Sequence, residues 1–159
     1  MSMRLKLLTV GKIKCPAVRE LCASYQGRLK SLVHLRIEEL RDFPVRKGMN
    51  PKIAIDGEGQ LIEEGLPEGS YYVVLDRQGR QKTTEEWASL FQKWENEGRK
   101  EISFVIGGAY GLSDSLLRGA RERLSLSKLT FTHEMARLIF LEQVYRVYTL
   151  LRGIPYHHG

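Results

Sequence analysis

The spacing of apolar positions changes repeatedly along this chain, and each change marks an element. Met3 to Val10 carries Leu5, Leu7, Leu8 and Val10 in a short apolar run, which predicts a strand that turns at Gly11-Lys12. From Pro16 to Leu32 the residues Val18, Leu21, Cys22, Tyr25 and Leu29 follow helical spacing. Val33 to Arg41 alternates, with Val33, Leu35, Ile37 and Glu39 on one side, and reads as a second strand. Tyr71 to Asp76 is a buried strand that stops at a Gln78-Gly79 turn. Thr83-Thr84-Glu85-Glu86 has the form of a helix N-terminus, and Trp87, Leu90, Phe91 and Trp94 then recur at helical spacing until Gly98. That aromatic stripe reads as core. Ile102, Phe104, Val105 and Ile106 form another buried strand, which ends at Gly107-Gly108. A helix follows over 113–123. Leu126 to Phe131 reads as a short strand, with Leu129 and Phe131 on one side and Lys128 and Thr130 on the other. It leads into the longest helix, His133 to Arg152, about 30 Å long at 1.5 Å per residue.

Between Phe43 and Ser70 the pattern weakens. Five glycines and three prolines interrupt it, and a helix over 53–64 is the one element expected there, in a segment that is short or mobile. Strands alternating with helices predict an α/β fold with a mainly parallel sheet flanked by helices. The length of 159 residues fits one domain, 1–159. The long helix is apolar on two sides. Ala136, Ile139, Phe140, Val144, Val147, Leu150 and Leu151 share a broad face, broken by Gln143; Leu138, Leu141, Tyr145 and Tyr148 form a second strip. One side is expected to meet the sheet and the other a partner chain, which predicts a homodimer. Glu142 and Arg146, four apart, are placed to pair.

Composition adds limits. Twenty-five basic against nineteen acidic residues give a net charge of +6, which favours a polyanionic partner. The group Arg41, Arg46, Lys47 and Lys52 is placed to meet RNA phosphate, or is a solvated loop. No apolar run approaches the roughly 18 residues of a membrane span, and the amino terminus reads as a strand rather than a signal peptide. A cytoplasmic location is expected, without a membrane partner. Cys15 and Cys22, seven apart, read as reduced packing thiols, and the four histidines form no cluster with metal-ligand spacing, so no metal is expected. There is no G-x-S-x-G and no paired-carboxylate motif. Gly107, Gly108 and Gly111 match neither G-x-G-x-x-G nor a phosphate-loop signature, so a plain turn and a ligand-approached loop both stand.

Three stretches carry a resemblance: VIGGAYGL, LSLSKLTFTHEMARLIFLEQVYRVY and the closing RGIPYHH. With the opening LKLLTVGK, the GEGQ at 57–60 and YYVVLDRQG, the whole chain resembles the ribosomal RNA large subunit methyltransferase H family. These are pseudouridine N3-methyltransferases of the SPOUT class. The resemblance implies a deep trefoil knot near the C-terminus, an S-adenosyl-L-methionine cofactor, and a homodimer acting on 23S rRNA of the assembled 70S ribosome, not on DNA.

Carried over residue by residue, the implied cofactor contacts are Leu75, Gly107 and the run Leu126, Ser127, Lys128, Leu129, Thr130 and Phe131. Leu75, Leu126 and Leu129 would sandwich the purine. Tyr156 and His157 in the tail are expected to close over the acceptor base, each site being completed by the partner's tail. Arg137 and Arg152 are expected to hold phosphate or ring oxygens. His133 is either a general base or a helix-start residue. The family has proline before that histidine, where this chain has Thr132. Three functions follow for comparison: this methyltransferase, another SPOUT-type RNA methyltransferase with a different target, and a non-catalytic ribosome-binding module. The glycine loop together with LSKLTF speaks against the third.

Overall fold

The computed structural model describes residues 2–159. Five strands and five helices alternate: β1 (Arg4–Val10), α1 (Pro16–Leu29), β2 (His34–Leu40), α2 (Pro51–Glu64), β3 (Tyr72–Gln81), α3 (Thr84–Asn96), β4 (Glu101–Ile106), α4 (Asp114–Gly119), β5 (Glu122–Ser125) and α5 (His133–Arg152). The strands form one sheet in the order β2-β1-β4-β3-β5, and every pairing is parallel. All strand C-terminal ends therefore share one edge.

Both faces are covered. Leu5, Leu7, Val73, Phe104 and Leu124 point to the side of α1, α3 and α5; Leu8, Val10, Val74 and Val105 point to the side of Ile62 in α2 and Leu116 in α4. Alternate residues of the same strands thus feed two cores, as the period of two requires. The aromatic stripe of α3 is core: Phe91 lies 5.7 Å from Phe104 and 5.9 Å from Tyr148, ring centre to ring centre, and Trp87, Phe91 and Trp94 are buried. Thr83 and Glu86 form the expected capping box on this helix.

Four elements differ from the sequence reading. The helix expected over 113–123 ends at Gly119, and β5 takes its last residues. The expected strand Leu126–Phe131 is irregular. Ser125 Oγ donates to the Ser127 carbonyl and Leu129 N donates to Ser127 Oγ, so local serine bonds replace a ladder, and Leu129 is 70% exposed. β3 does not stop at Gln78-Gly79; it bulges over 76–79 and resumes pairing with β5 at Arg80. A Cβ on Gly79 would strike the backbone of Arg123, so only glycine lets the bulge lie on β5. The helix in the weak segment, α2, starts earlier than expected, at Pro51, capped by Asn50, whose side chain accepts from Lys52 N.

The two apolar strips of α5 find covers within the chain. Phe140 packs on Phe104 at 4.8 Å and Trp87 at 6.5 Å, while Tyr145 meets Tyr25 of α1 at 6.2 Å. Gln143, which breaks the apolar face, accepts from Thr84 Oγ1 of α3. Helices α1 and α3 thus flank α5 within the chain, while Leu138, Ile139, Leu150 and Leu151 stay partly exposed. Phe104, fully buried at the centre of the aromatic cluster, supplies a test of this packing. Phe104→Ala is expected to lower unfolding free energy by about 3–5 kcal/mol in urea denaturation; a loss below about 1 kcal/mol would contradict the packing.

Candidate active site

At the C-terminal edge of the sheet, a cleft of about 720 Å³ opens between the ends of β3 and β4, the 126–132 loop and the first turn of α5. This is the usual ligand position in open α/β sheets. Seven of the eight residues expected to contact a cofactor line it: Leu75, Gly107, Leu126, Ser127, Leu129, Thr130 and Phe131. Lys128 is exposed and is not part of the wall. Three separate chain segments, distant in sequence, thus meet at one place.

The walls combine apolar side chains with close backbone. A Cβ on Gly107 would lie 2.7 Å from Leu112, so glycine is required for the loop to close. Gly111 has φ +93°, and its N–H donates to the Gly108 carbonyl at 3.2 Å, which makes 108–111 a tight turn. The β3 bulge brings Asp76, Arg77 and Gln78 to the rim. Asp76 is held there by Arg123 of β5 at 2.5 Å. A turn at Gln78-Gly79 does not foretell Arg77 and Gln78 on this rim; a glycine inside a strand pattern is equally the mark of a bulge.

His133 also lines the cleft, at the first position of α5, and among the described residues its buried Nδ1 has no hydrogen-bond partner. Thr132, where the resembling family has proline, caps the helix by accepting from Met135 N at 3.2 Å. Glu134 reaches the other way, accepting from the backbone of Lys14 and Cys15. Those two N–H groups, Cys15 first, hold its carboxyl below the usual carboxylate range.

The remaining expected residues lie elsewhere. Arg137 is 1% exposed and is neither free nor in the cleft. It pairs with Glu39 and donates to the Gly11 carbonyl at 3.0 Å. In this structure its guanidinium serves as a tie between β2, the β1 end and α5. Arg152 donates to the Leu32 carbonyl at 3.0 Å, at the far end of α5. Tyr156 donates to Glu142, and its ring packs on Tyr145 at 4.7 Å; His157 meets Glu85 and Arg146. Glu142 stands nine residues beyond His133, or about 14 Å along the helix axis. The tail therefore does not reach the cleft of its own chain. Burial, followed by Tyr25 and Glu142, pushes the Tyr156 hydroxyl up to about 12, so it remains a donor at neutral pH.

A second cleft, about 1070 Å³, lies on the other flank of the α5 first turn, bordered by Lys12, Lys14, Arg19, Arg41 and Arg137. Lys52, placed to meet RNA phosphate or to lie on a solvated surface, is exposed and pairs with Asp56. Among the described residues no group of three or more His, Cys, Asp or Glu side chains comes together, and no helix is long and apolar enough to cross a membrane.

A parallel α/β sheet with a glycine turn and a cleft at its strand ends is the usual arrangement of a small-molecule site in α/β proteins. The family described as Predicted SPOUT methyltransferase matches residues 3–157, and the chain belongs to that family of methyltransferases. It is 41% identical over 98% of its length to the ribosomal RNA large subunit methyltransferase H of Geotalea daltonii, covering 100% of that protein. It is 37% identical to those of Christiangramia forsetii and Bacillus pumilus, over 98% of this chain and 99% of each relative. Among solved structures, a probable methylase family protein from Haemophilus influenzae Rd KW20 matches with a TM-score of 0.57 at 10% identity, over 99% of this chain and 71% of that one; it speaks for the fold alone.

Glu134 gives a pH test of the site's frame. A carboxylate held below its unfolded value contributes stability above that value, near 4.5, and loses it as the pH falls through the folded pKa. Glu134→Gln is expected to lower the melting temperature at pH 7, with the gap to the unsubstituted protein shrinking once the pH falls below about 4.5. A constant gap across that range would contradict the link.

Proposed function

We propose that this chain transfers a methyl group from S-adenosyl-L-methionine to N3 of a pseudouridine in 23S rRNA, acting on the assembled 70S ribosome. The single observation that carries the reading is the meeting of Leu75, Gly107 and Leu126 to Phe131 around one cleft. Family membership and the names of the close relatives support the reaction and the RNA class. Membership also supports a deep trefoil knot in the C-terminal segment.

The cleft fits the cofactor by size and chemistry. Its volume lies within the range of small-molecule sites. Leu75, Leu126 and Leu129 would enclose the purine, while the backbone of Gly107 and of Ser127 to Phe131 would take its polar edges. When bound, S-adenosylmethionine supplies an electrophilic methyl group on a sulfonium. The chain's own contribution is placement of the acceptor in line with that methyl, and control of one proton. Pseudouridine N3 must lose its proton; the imidazole of His133, which lines the cleft, is the proposed acceptor. Positive charge on the flanking cleft, from Lys12, Lys14 and Arg41, suits rRNA phosphates.

The tail requires a second copy. Tyr156 and His157 lie too far along α5 to close their own cleft, so in this reading they serve the cleft of a partner in a homodimer, with Arg152 near them on phosphate. Tyr156, protonated at neutral pH, would donate to a ring oxygen as negative charge develops on the base.

Labelled methyl transfer to 70S ribosomes and to protein-free rRNA, followed by nucleoside mapping, tests the reaction. Label in a large-subunit pseudouridine on ribosomes alone is expected. Label in a different nucleotide would move the chain to another SPOUT-type target. The shared site has its own test. Mixing a His133→Ala protein with a Tyr156→Phe/His157→Ala protein, each inactive, should restore roughly a quarter of full activity through random pairing in a two-fold dimer. A mixture that stays inactive would contradict a site completed across the dimer.

A further inference from the structure

Glu58 has no part in the chemistry above, yet it is a buried carboxylate beside the cleft. It is 7% exposed, on the sheet-facing side of α2, and among the described residues no basic side chain pairs with it. Isolated burial of a charge is costly, so such a group needs a reason. Its one direct partner is the glycine turn: Oε1 accepts from Gly108 N–H at 3.2 Å. The fit is close: a Cβ on Gly108 would stand 2.6 Å from both carboxylate oxygens, so a side chain there would push the Glu58 carboxylate aside. Burial raises the Glu58 carboxyl above the usual range; the Gly108 N–H opposes this, and the Asp42 carboxylate adds to it.

The residues around Glu58 are fitted to the same end. A Cβ on Gly57 would overlap the ring of Phe43, and one on Gly59 would lie 2.5 Å from Ser113 Oγ. The two glycines that weaken α2 by propensity let it approach the loop between β4 and α4. One turn on, Glu63 accepts from Ser115 Oγ at 2.7 Å. Helix α2 is thus fastened along the segment from Gly108 to Ser115, while the opposite side of Gly107 to Gly111 forms the cleft wall.

We propose that Glu58 is a positioning residue for the cofactor: by accepting from Gly108 N–H it fixes the path of the 107–111 turn, and Gly57, Gly59 and Gly108 are glycines so that it can. This rests on reading the cleft as the S-adenosylmethionine site. Glu58 touches neither methyl donor nor acceptor, so its effect falls on cofactor affinity and not on turnover at saturation.

The experiment is titration calorimetry of the full chain with S-adenosylmethionine, together with amide exchange at Gly108 in the free protein. Glu58→Ala is expected to raise the cofactor Kd about tenfold, the scale of one lost hydrogen bond to a charged acceptor, and to speed exchange at Gly108. Glu58→Gln keeps an acceptor oxygen and should stay within about threefold of the unsubstituted protein. Gly108→Ala should weaken binding by pushing against the carboxylate, and combining it with Glu58→Ala should add little, because the obstructing group is gone. A purely structural role would lower the melting temperature while leaving Kd and the double-variant coupling unchanged; that result would overturn the proposal. So would a Glu58→Gln protein as weak as Glu58→Ala. If Glu58→Ala does not fold, Gly108→Ala alone and on the Glu58→Gln background read the same contact. Failure of the unsubstituted protein to bind S-adenosylmethionine would overturn the cofactor reading itself, and this proposal with it.

Discussion

The guanidinium of Arg137 joins three elements at the edge where the chemistry lies. It pairs with Glu39 near the end of β2, donates to the Gly11 carbonyl just past β1, and stands in the first turns of α5. The guanidinium is buried while the Glu39 side chain is 36% exposed. Breaking this pair therefore costs less than the about 3–5 kcal/mol of a fully buried one, though the remaining charge would still lose its partner inside the protein. Gly11 takes φ +80° at this point, and its N–H donates to the Leu40 carbonyl, which closes the β1 and β2 ends together. With Glu134 holding Lys14 and Cys15 from the same helix, the N-terminus of α5 is fixed from one side. His133 and Ala136 then face the other side, the cleft. The position of His133 is thus a consequence of where Arg137 is anchored.

The general architecture was legible because its signals are periodic. Alternating strand and helix patterns gave the parallel sheet, and the spacing of Trp87, Phe91 and Trp94 gave the inner face of α3. The candidate cleft was legible for another reason: the resemblance named Leu75, Gly107 and the 126–131 run, and strand ends in a parallel sheet converge. What was lost is where short polar bonds override pattern. Leu126 to Phe131 alternates like a strand, but Ser125 and Ser127 bond locally and turn it into a loop. The β3 bulge hid behind Gly79. Arg137, expected to hold phosphate or ring oxygens, falls among Phe140, Leu141 and Val144 on the buried side of the helix, and that position is the available sign of its structural ties.

Flexible and rigid parts of the candidate site have distinct physical origins. The 107–111 turn, with three glycines and an exposed Tyr110, relies on its neighbours: Leu112 against Gly107 and Glu58 against Gly108. The 126–131 loop relies on serine side chains and presents Leu129 to solvent, an apolar surface that a purine face would cover. The tail, in contrast, is held on its own helix by Glu142, Arg146 and Glu85. Helices α1 and α3 cover the α5 strips only in part, and the distance of the tail from its own cleft supplies a further argument for a dimer.

Two clefts flank the first turn of α5, and the smaller one, with the glycine turn, is the proposed cofactor site. Amide chemical-shift mapping during titration with S-adenosylhomocysteine separates them directly. Shifts are expected to concentrate at Leu75, at Gly107 to Gly111 and at Leu126 to Phe131, with Lys12, Lys14 and Arg41 unmoved. Shifts confined to the Lys12, Lys14 and Arg41 cleft, with the glycine turn silent, would contradict this assignment.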